Sequence, residues 1–165
     1  MVSQKESYSM ALNHLEIIMN AFPHVYTTNV QGTNDPILGL SAEKLPPLQI
    51  SAPIEFDGPQ GYWSPEAFFS ASVSTCFILT FKAIARGKKL SWDSINVDAD
   101  AYLDKSENKL KFTRVDVFVT LTIPPSEAGK EEIYLNALRK AEETCLITNS
   151  ISATVQLNPK VELTS

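Results

Sequence analysis

Between residues 8 and 22 the apolar side chains Leu12, Leu15, Ile18, Met19 and Phe22 recur at helical spacing, and Pro23 then ends the run. The pattern predicts an N-terminal helical extension over residues 1–24 and a domain over residues 25–165. From 25 to 56 the apolar positions come in short β-like pieces, interrupted by Gly32, Pro36, Gly39, Pro46, Pro47 and Pro53. Gln49–Ser51 and Ile54–Phe56 read as edge-strand pieces, because proline is confined to edges and bulges. Asp57–Gly61 reads as a turn.

Ser64-Pro65-Glu66 is a helix start, with an N-cap serine, proline at the first helical position and an acid in the first turn. The helix is expected to run to about Arg86, with Gly87 as its stop. From Ala67 to Ala85 the only charge is Lys82. A helix apolar nearly all round is buried on most sides, and in a chain this small that predicts a second subunit covering it.

Val97, Ala99, Ala101 and Leu103 then alternate with Asp98, Asp100, Tyr102 and Asp104. Val115, Val117, Val119, Leu121 and Ile123 repeat the alternation against Asp116, Thr120 and Thr122. Two half-buried strands are expected, joined by Asp104–Asn108 as the hairpin loop. Pro124-Pro125 ends the second strand, and a helix follows from about Ser126 to Thr144, with Ile133, Ala137, Ala141 and Cys145 on one face. Residues 145–150 read as a helical turn, and Ser152–Leu157 as a closing strand. This order of elements is an α+β fold with a largely antiparallel sheet.

Composition narrows the function. The chain has 165 residues and a formal net charge of −5, which argues against nucleic acid as a partner, since phosphate-backbone binding needs a basic face. Two cysteines and two histidines, scattered along the chain, make no metal site and no histidine-based triad expected. The start shows no secretory pattern, and the most apolar stretch, Ala67–Phe81, is 15 residues, shorter than a membrane span. The expectation is a cytoplasmic protein with no membrane partner and no bound cofactor.

Three residues are candidates for chemistry. Cys76 lies mid-way along the apolar helix, where a cysteine often serves only as a small hydrophobe. Cys145 lies where the second helix ends or turns, and would gain thiolate character if a new helical turn began there. Glu66 is a first-turn acid with an ordinary role in complementing the helix dipole.

Together the motifs reach further. Ser64-Pro65-Glu66-Ala67-Phe68-Phe69, followed by Ser74-Thr75-Cys76-Phe77, resembles the first signature of the OsmC/Ohr family. Ala141-Glu142-Glu143-Thr144-Cys145-Leu146-Ile147-Thr148-Asn149-Ser150-Ile151 is similar to its second. The resemblance covers roughly residues 25–161. It implies an intertwined homodimer with antiparallel sheets flanking central buried helices. It further implies reduction of organic hydroperoxides, with Cys76 as the peroxidatic thiol and Cys145 as the thiol that resolves its sulfenic acid as a disulfide. A lipoyl protein or another thiol reductant would then restore the pair. Glu66 matches the family carboxylate that orients an arginine against the thiolate.

The chain departs from this pattern twice. No arginine precedes Cys76, and Glu55 stands where many members carry one. With Glu55 and Glu66 near the site, Cys76 is expected to be a poor thiolate. The proline that commonly follows the second cysteine is Leu146 here, which weakens the expectation that Cys145 opens a helical turn. The second function class that fits is a divergent member that binds an apolar small molecule without efficient peroxide turnover.

Overall fold

The computed structural model describes residues 22–164. The expected helix over residues 8–22, and with it nearly all of the extension over 1–24, falls outside them. The central helix α1, Pro65–Lys88, begins as its sequence dictates: the Ser64 side chain accepts a hydrogen bond from the Ala67 N–H, with Pro65 at the first position and Glu66 in the first turn. Its end differs from expectation. Gly87 lies inside the helix, and Lys89 takes the left-handed turn at φ 55°. The Leu90 N–H reaches the Ala85 carbonyl at 2.9 Å, and the Leu90 side chain packs on the core. With the Lys89 N–H on the Arg86 carbonyl at 3.2 Å, this bond and its apolar contact make a Schellman end, and the contact decides where the helix stops.

Strands β4 (Ser94–Ser106) and β5 (Lys109–Ile123) form a long antiparallel hairpin. Its loop is tighter than the expected five residues: Glu107 and Asn108, both at positive φ, make a two-residue turn of the type whose twist matches the strands. A bulge between Tyr102 and Leu103 leaves Thr113 as the extra residue opposite. The second helix splits. Pro125–Glu127 forms a single 3-10 turn, Gly129 breaks the chain at φ 83°, and α2 runs only from Glu131 to Thr144. Its buried face is Tyr134, Ala137, Leu138 and Ala141, whereas Ile133 is exposed. The Tyr134 hydroxyl sets that face by donating to the Ser91 carbonyl at 2.6 Å and lying 3.0 Å from the Glu127 carboxylate.

Strand β6, Thr154–Leu163, is longer than the expected Ser152–Leu157 and pairs with β5 in parallel. One sheet, in the order β4-β5-β6, is therefore mixed, not antiparallel throughout. The α2 crossover between β5 and β6 is what permits the parallel pairing. Pro159 is tolerated because β6 is an edge.

The core lies between this sheet and the two helices. Val115, Val117, Val119, Leu121 and Ile123 of β5 meet the buried face of α2 and one stripe of α1, namely Val73, Phe77, Phe81 and Ala85. Within the single chain α1 is buried on that stripe, and Thr75, Leu79, Lys82, Ala83 and Arg86 face outward. The helix is 24 residues and holds an 18-residue window of mean hydropathy 1.6, long and apolar enough to span a bilayer by length and composition alone.

A second sheet is the small meander β1 (Asn29–Gln31), β2 (Leu38–Ser41) and β3 (Leu48–Ile50), antiparallel throughout. Of its residues only Ile50 is buried. A bridge from Ile50 to Trp63, with the Ser51 N–H on the Trp63 carbonyl at 3.0 Å, ties the meander to the start of α1. Ile54–Phe56, expected as strand, is a 3-10 turn closed by the Asp57 and Gly58 N–H groups on the Ile54 and Pro53 carbonyls.

Candidate functional site

Cys76 sits half-buried at the middle of α1, and Cys145 is fully buried at the C-terminal end of α2. The two helices pack together, and this brings the thiols of residues 69 positions apart near each other. Both are free thiols.

Why the second thiol stops where it does follows from the local hydrogen bonds. Helix α2 has no glycine at its end, so side chains satisfy its last carbonyls. The Thr148 hydroxyl shares its proton between the Glu142 and Cys145 carbonyls, 3.1 Å from each. The Asn149 amide donates to the Glu143 carbonyl at 3.0 Å, and the Thr144 hydroxyl to the Lys140 carbonyl at 2.7 Å. Cys145 itself leaves the helix in an extended conformation, φ −65° and ψ 123°. It is a helix-ending residue, and only a 3-10 turn, Thr148–Ser150, follows it.

The electrostatics separate the two thiols. Burial alone pushes Cys76 up. Against it act hydrogen bonds from the Cys145 thiol, the Ile147 N–H, the Thr80 hydroxyl and the Leu146 N–H, and together these hold Cys76 below the ordinary cysteine value. Cys145 is pushed up, first by burial and then by its bond to Cys76, with the Thr148 contacts opposing. The upward shift expected for Cys76 is thereby corrected: uncharged donors at the end of α2, with Thr80 of α1, outweigh the burial.

Glu66 is not brought to the thiols within one chain. It lies ten residues before Cys76 on the same helix, ~15 Å along the axis. Its Oε2 atom is buried without a hydrogen-bond partner. Glu55 joins it there, not beside Cys76. Both line a cavity of about 400 Å³ with Phe56, Leu103 and Phe112. The arginines are engaged or distant. Arg114 pairs with Asp116 at 3.1 Å and lies 4.0 Å over the Tyr102 ring, Arg139 pairs with Glu132 at 2.8 Å, and Arg86 is ten residues beyond Cys76 on α1.

The sequence reading missed Thr80 and the donors at 146–148. Thr80 had a usable signal, since it lies one helical turn after Cys76 on the same side of α1. Backbone N–H groups carry no signal beyond the absence of proline.

A chemically consistent device results: a more acidic thiol, half-buried and reachable, beside a less acidic thiol that is fully buried. The same order of acidity suits attack by the first and later resolution by the second.

Comparison with known proteins agrees with the fold. The profile of the family described as OsmC-like protein matches residues 58–160. No curated protein sequence matches the chain. Among solved structures, the chain is similar to an OsmC-like protein of unknown function from Vibrio cholerae, at 18% identity and TM-score 0.78, covering 84% of this chain and 100% of the other. It is also similar to an organic hydroperoxide resistance protein from Elizabethkingia anophelis, at 18% identity and TM-score 0.65, covering 87% and 100%. A third similar structure is the organic hydroperoxide resistance protein OhrB of Bacillus subtilis, at 17% identity and TM-score 0.61, covering 86% and 98%. At these identities the likeness is one of fold.

Proposed function

The chain belongs to the OsmC-like protein family, and from that premise we propose that it is a cytoplasmic, thiol-dependent peroxidase acting on organic hydroperoxides. The observation that carries this reading is the nearness of Cys76 and Cys145, with Cys76 held as the more acidic thiol. The names of the Elizabethkingia and Bacillus structures support it at the level of the family.

In the proposed reaction the Cys76 thiolate attacks the terminal oxygen of ROOH. The O–O bond breaks, the alkoxide leaves and takes up a proton as the alcohol, and Cys76 becomes a sulfenic acid. The Cys145 thiol then attacks the sulfenic sulfur, an S–S bond forms and water leaves. A dithiol reductant, such as a lipoyl protein, supplies the two electrons and two protons that restore both thiols.

The proposal includes a homodimer. Two features support it: the outward face of α1 with Leu79 66% exposed, and the meander that exposes Val30, Leu45 and Leu48. Glu66 enters as the carboxylate that would orient a cation, its Oε2 buried without a hydrogen-bond partner among the described residues.

Titration with tert-butyl hydroperoxide tests the reading. Stoichiometric loss of two thiols and a single Cys76–Cys145 linkage are expected. Sulfenylation confined to Cys145 would reverse the roles. The second reading, a binder of apolar small molecules without efficient turnover, is favoured by the cavity at Phe56, Leu103 and Phe112. Thiol loss no faster than that of a free cysteine would decide for it.

A further inference from the structure

Cys145 is the residue at which the chain leaves α2, and its backbone is engaged on both sides of that break. Its N–H lies on the Glu142 carbonyl at 3.2 Å, and its own carbonyl accepts from the Asn149 N–H at 3.1 Å. One side chain joins the two sides. The Thr148 hydroxyl lies 3.1 Å from the Glu142 carbonyl and 3.1 Å from the Cys145 carbonyl, and Thr148 is only 9% exposed. A ring of contacts, from the Cys145 N–H through Glu142 and Thr148 to the Cys145 carbonyl, therefore closes around the α-carbon of Cys145. The neighbouring side chains hold other carbonyls: Asn149 takes Glu143 at 3.0 Å, Thr144 takes Lys140 at 2.7 Å and Ser150 takes Leu146 at 2.7 Å.

We propose that Thr148 is the positioning residue of the second thiol: by bridging the Glu142 and Cys145 carbonyls it fixes the backbone of Cys145 and holds its sulfur ready to close on Cys76. The inference rests on the reading of Cys145 as the resolving thiol. A cysteine sulfur lies one bond beyond Cβ, so with the backbone fixed only the staggered positions of χ1 remain to it. Without such a bridge the last carbonyls of a helix turn to water and the end frays. The burial of Thr148 keeps water from replacing its hydroxyl at either carbonyl. In resolution the Cys145 sulfur bonds to the Cys76 sulfenic sulfur and water leaves, and the disulfide so formed accepts only a narrow geometry. Holding one partner in place makes this closure effectively unimolecular, and a misplacement of about 1 Å can cost such a step about a hundredfold.

Equilibrium with glutathione separates this inference from the peroxidase reading, because it needs no peroxide. Oxidised glutathione takes two electrons and two protons from Cys76 and Cys145 and leaves as two reduced glutathione molecules. The protein is equilibrated at graded ratios of squared reduced to oxidised glutathione and quenched with acid. The Cys76–Cys145 disulfide is then counted by peptide mass spectrometry, with melting curves recorded alongside. Thr148→Val keeps the shape of the side chain and removes the hydroxyl, and should lower the ratio at half-oxidation about tenfold below the wild type. Thr148→Ser keeps the hydroxyl and should stay near the wild type. Asn149→Ala removes the cap on Glu143 but leaves the ring around Cys145, and should also keep the wild-type midpoint. A merely structural role would lower the melting temperature of Thr148→Val and leave its midpoint in place. If Thr148→Val does not fold, Thr148→Ala against Thr148→Ser decides. Equal midpoints for Thr148→Val and the wild type, or equal displacements for Thr148→Val and Asn149→Ala, overturn the proposal. A displaced midpoint in a protein that does not consume tert-butyl hydroperoxide upholds the positioning role and removes only the peroxidase reading.

Discussion

Replacing Cys145 by alanine and by serine distinguishes two roles of one side chain. Both variants lack the second thiol, so neither can form the disulfide. They differ in what they offer Cys76. The Cys145 thiol is a hydrogen-bond partner of Cys76, and it is the first of the donors that lower it. Alanine removes that donor, whereas a serine hydroxyl is a stronger donor than a thiol. A hydrogen bond to a charged group contributes about 1.5–3 kcal/mol, and a thiol, as a weak donor, belongs at the bottom of that range. That is about one unit of pKa, or roughly tenfold in thiolate fraction. Cys145→Ala should therefore slow Cys76 alkylation at pH 7 by about tenfold, and Cys145→Ser should leave it near the wild-type rate. With tert-butyl hydroperoxide both should accumulate Cys76 sulfenic acid, trapped by dimedone, but the alanine variant about tenfold more slowly. Equal alkylation rates in the two variants would refute the reasoning, since they would show that Cys145 does not act as a donor to Cys76.

Other perturbations test the frame around the site. Phe77→Ala empties a fully buried position between α1 and β5 and should cost about 3–5 kcal/mol in a urea titration. Leu79→Lys places a charge on the open face of α1 and should convert a dimer into a folded species of 18.2 kDa by light scattering; a wild type that is already monomeric at micromolar concentration would contradict the homodimer. Tyr134 is raised from 10.0 to about 12, by burial first and then by Glu127. Its contribution to stability is thus complete below pH 10 and lost as pH rises toward 12. Tyr134→Phe should abolish that alkaline fall while costing about 1–2 kcal/mol at neutral pH for the lost hydrogen bonds.

Where local chemistry decided the structure, the sequence was readable. Ser64-Pro65-Glu66 starts α1 because the serine oxygen and the proline act within one turn, and alternation along β4 and β5 marks the hairpin because one face is core. Where a distant contact decided it, the reading failed. Gly87 lost to the apolar docking of Leu90, Ile133 to the anchoring of Tyr134, and the parallel partner of β5 has no local mark at all. The site divides in the same way. Cys76 and Cys145 were visible as motif residues. Of the donors that set the acidity of Cys76 only the Cys145 thiol was visible; the Ile147 and Leu146 N–H groups and the Thr80 hydroxyl were not. Side-chain identity led to an expectation about charge, from Glu55 and Glu66, that their placement away from Cys76 and the uncharged donors around it reversed.

The parallel pairing of β5 with β6 has a consequence in time. The β4–β5 hairpin is local and closes over a two-residue turn, but thirty residues separate Ile123 from Thr154, and the loop that carries Cys145, Leu146 and Thr148 lies within that span. Pairings of large sequence separation form late, because the entropy of the intervening chain must be overcome first. A newly made chain therefore carries Cys76 as an ordinary thiol until α2 and β6 have docked, and acquires a reactive one only with the finished fold. Pulse alkylation during refolding should show Cys76 reactivity rising in the same phase that protects the amides of β6 from exchange.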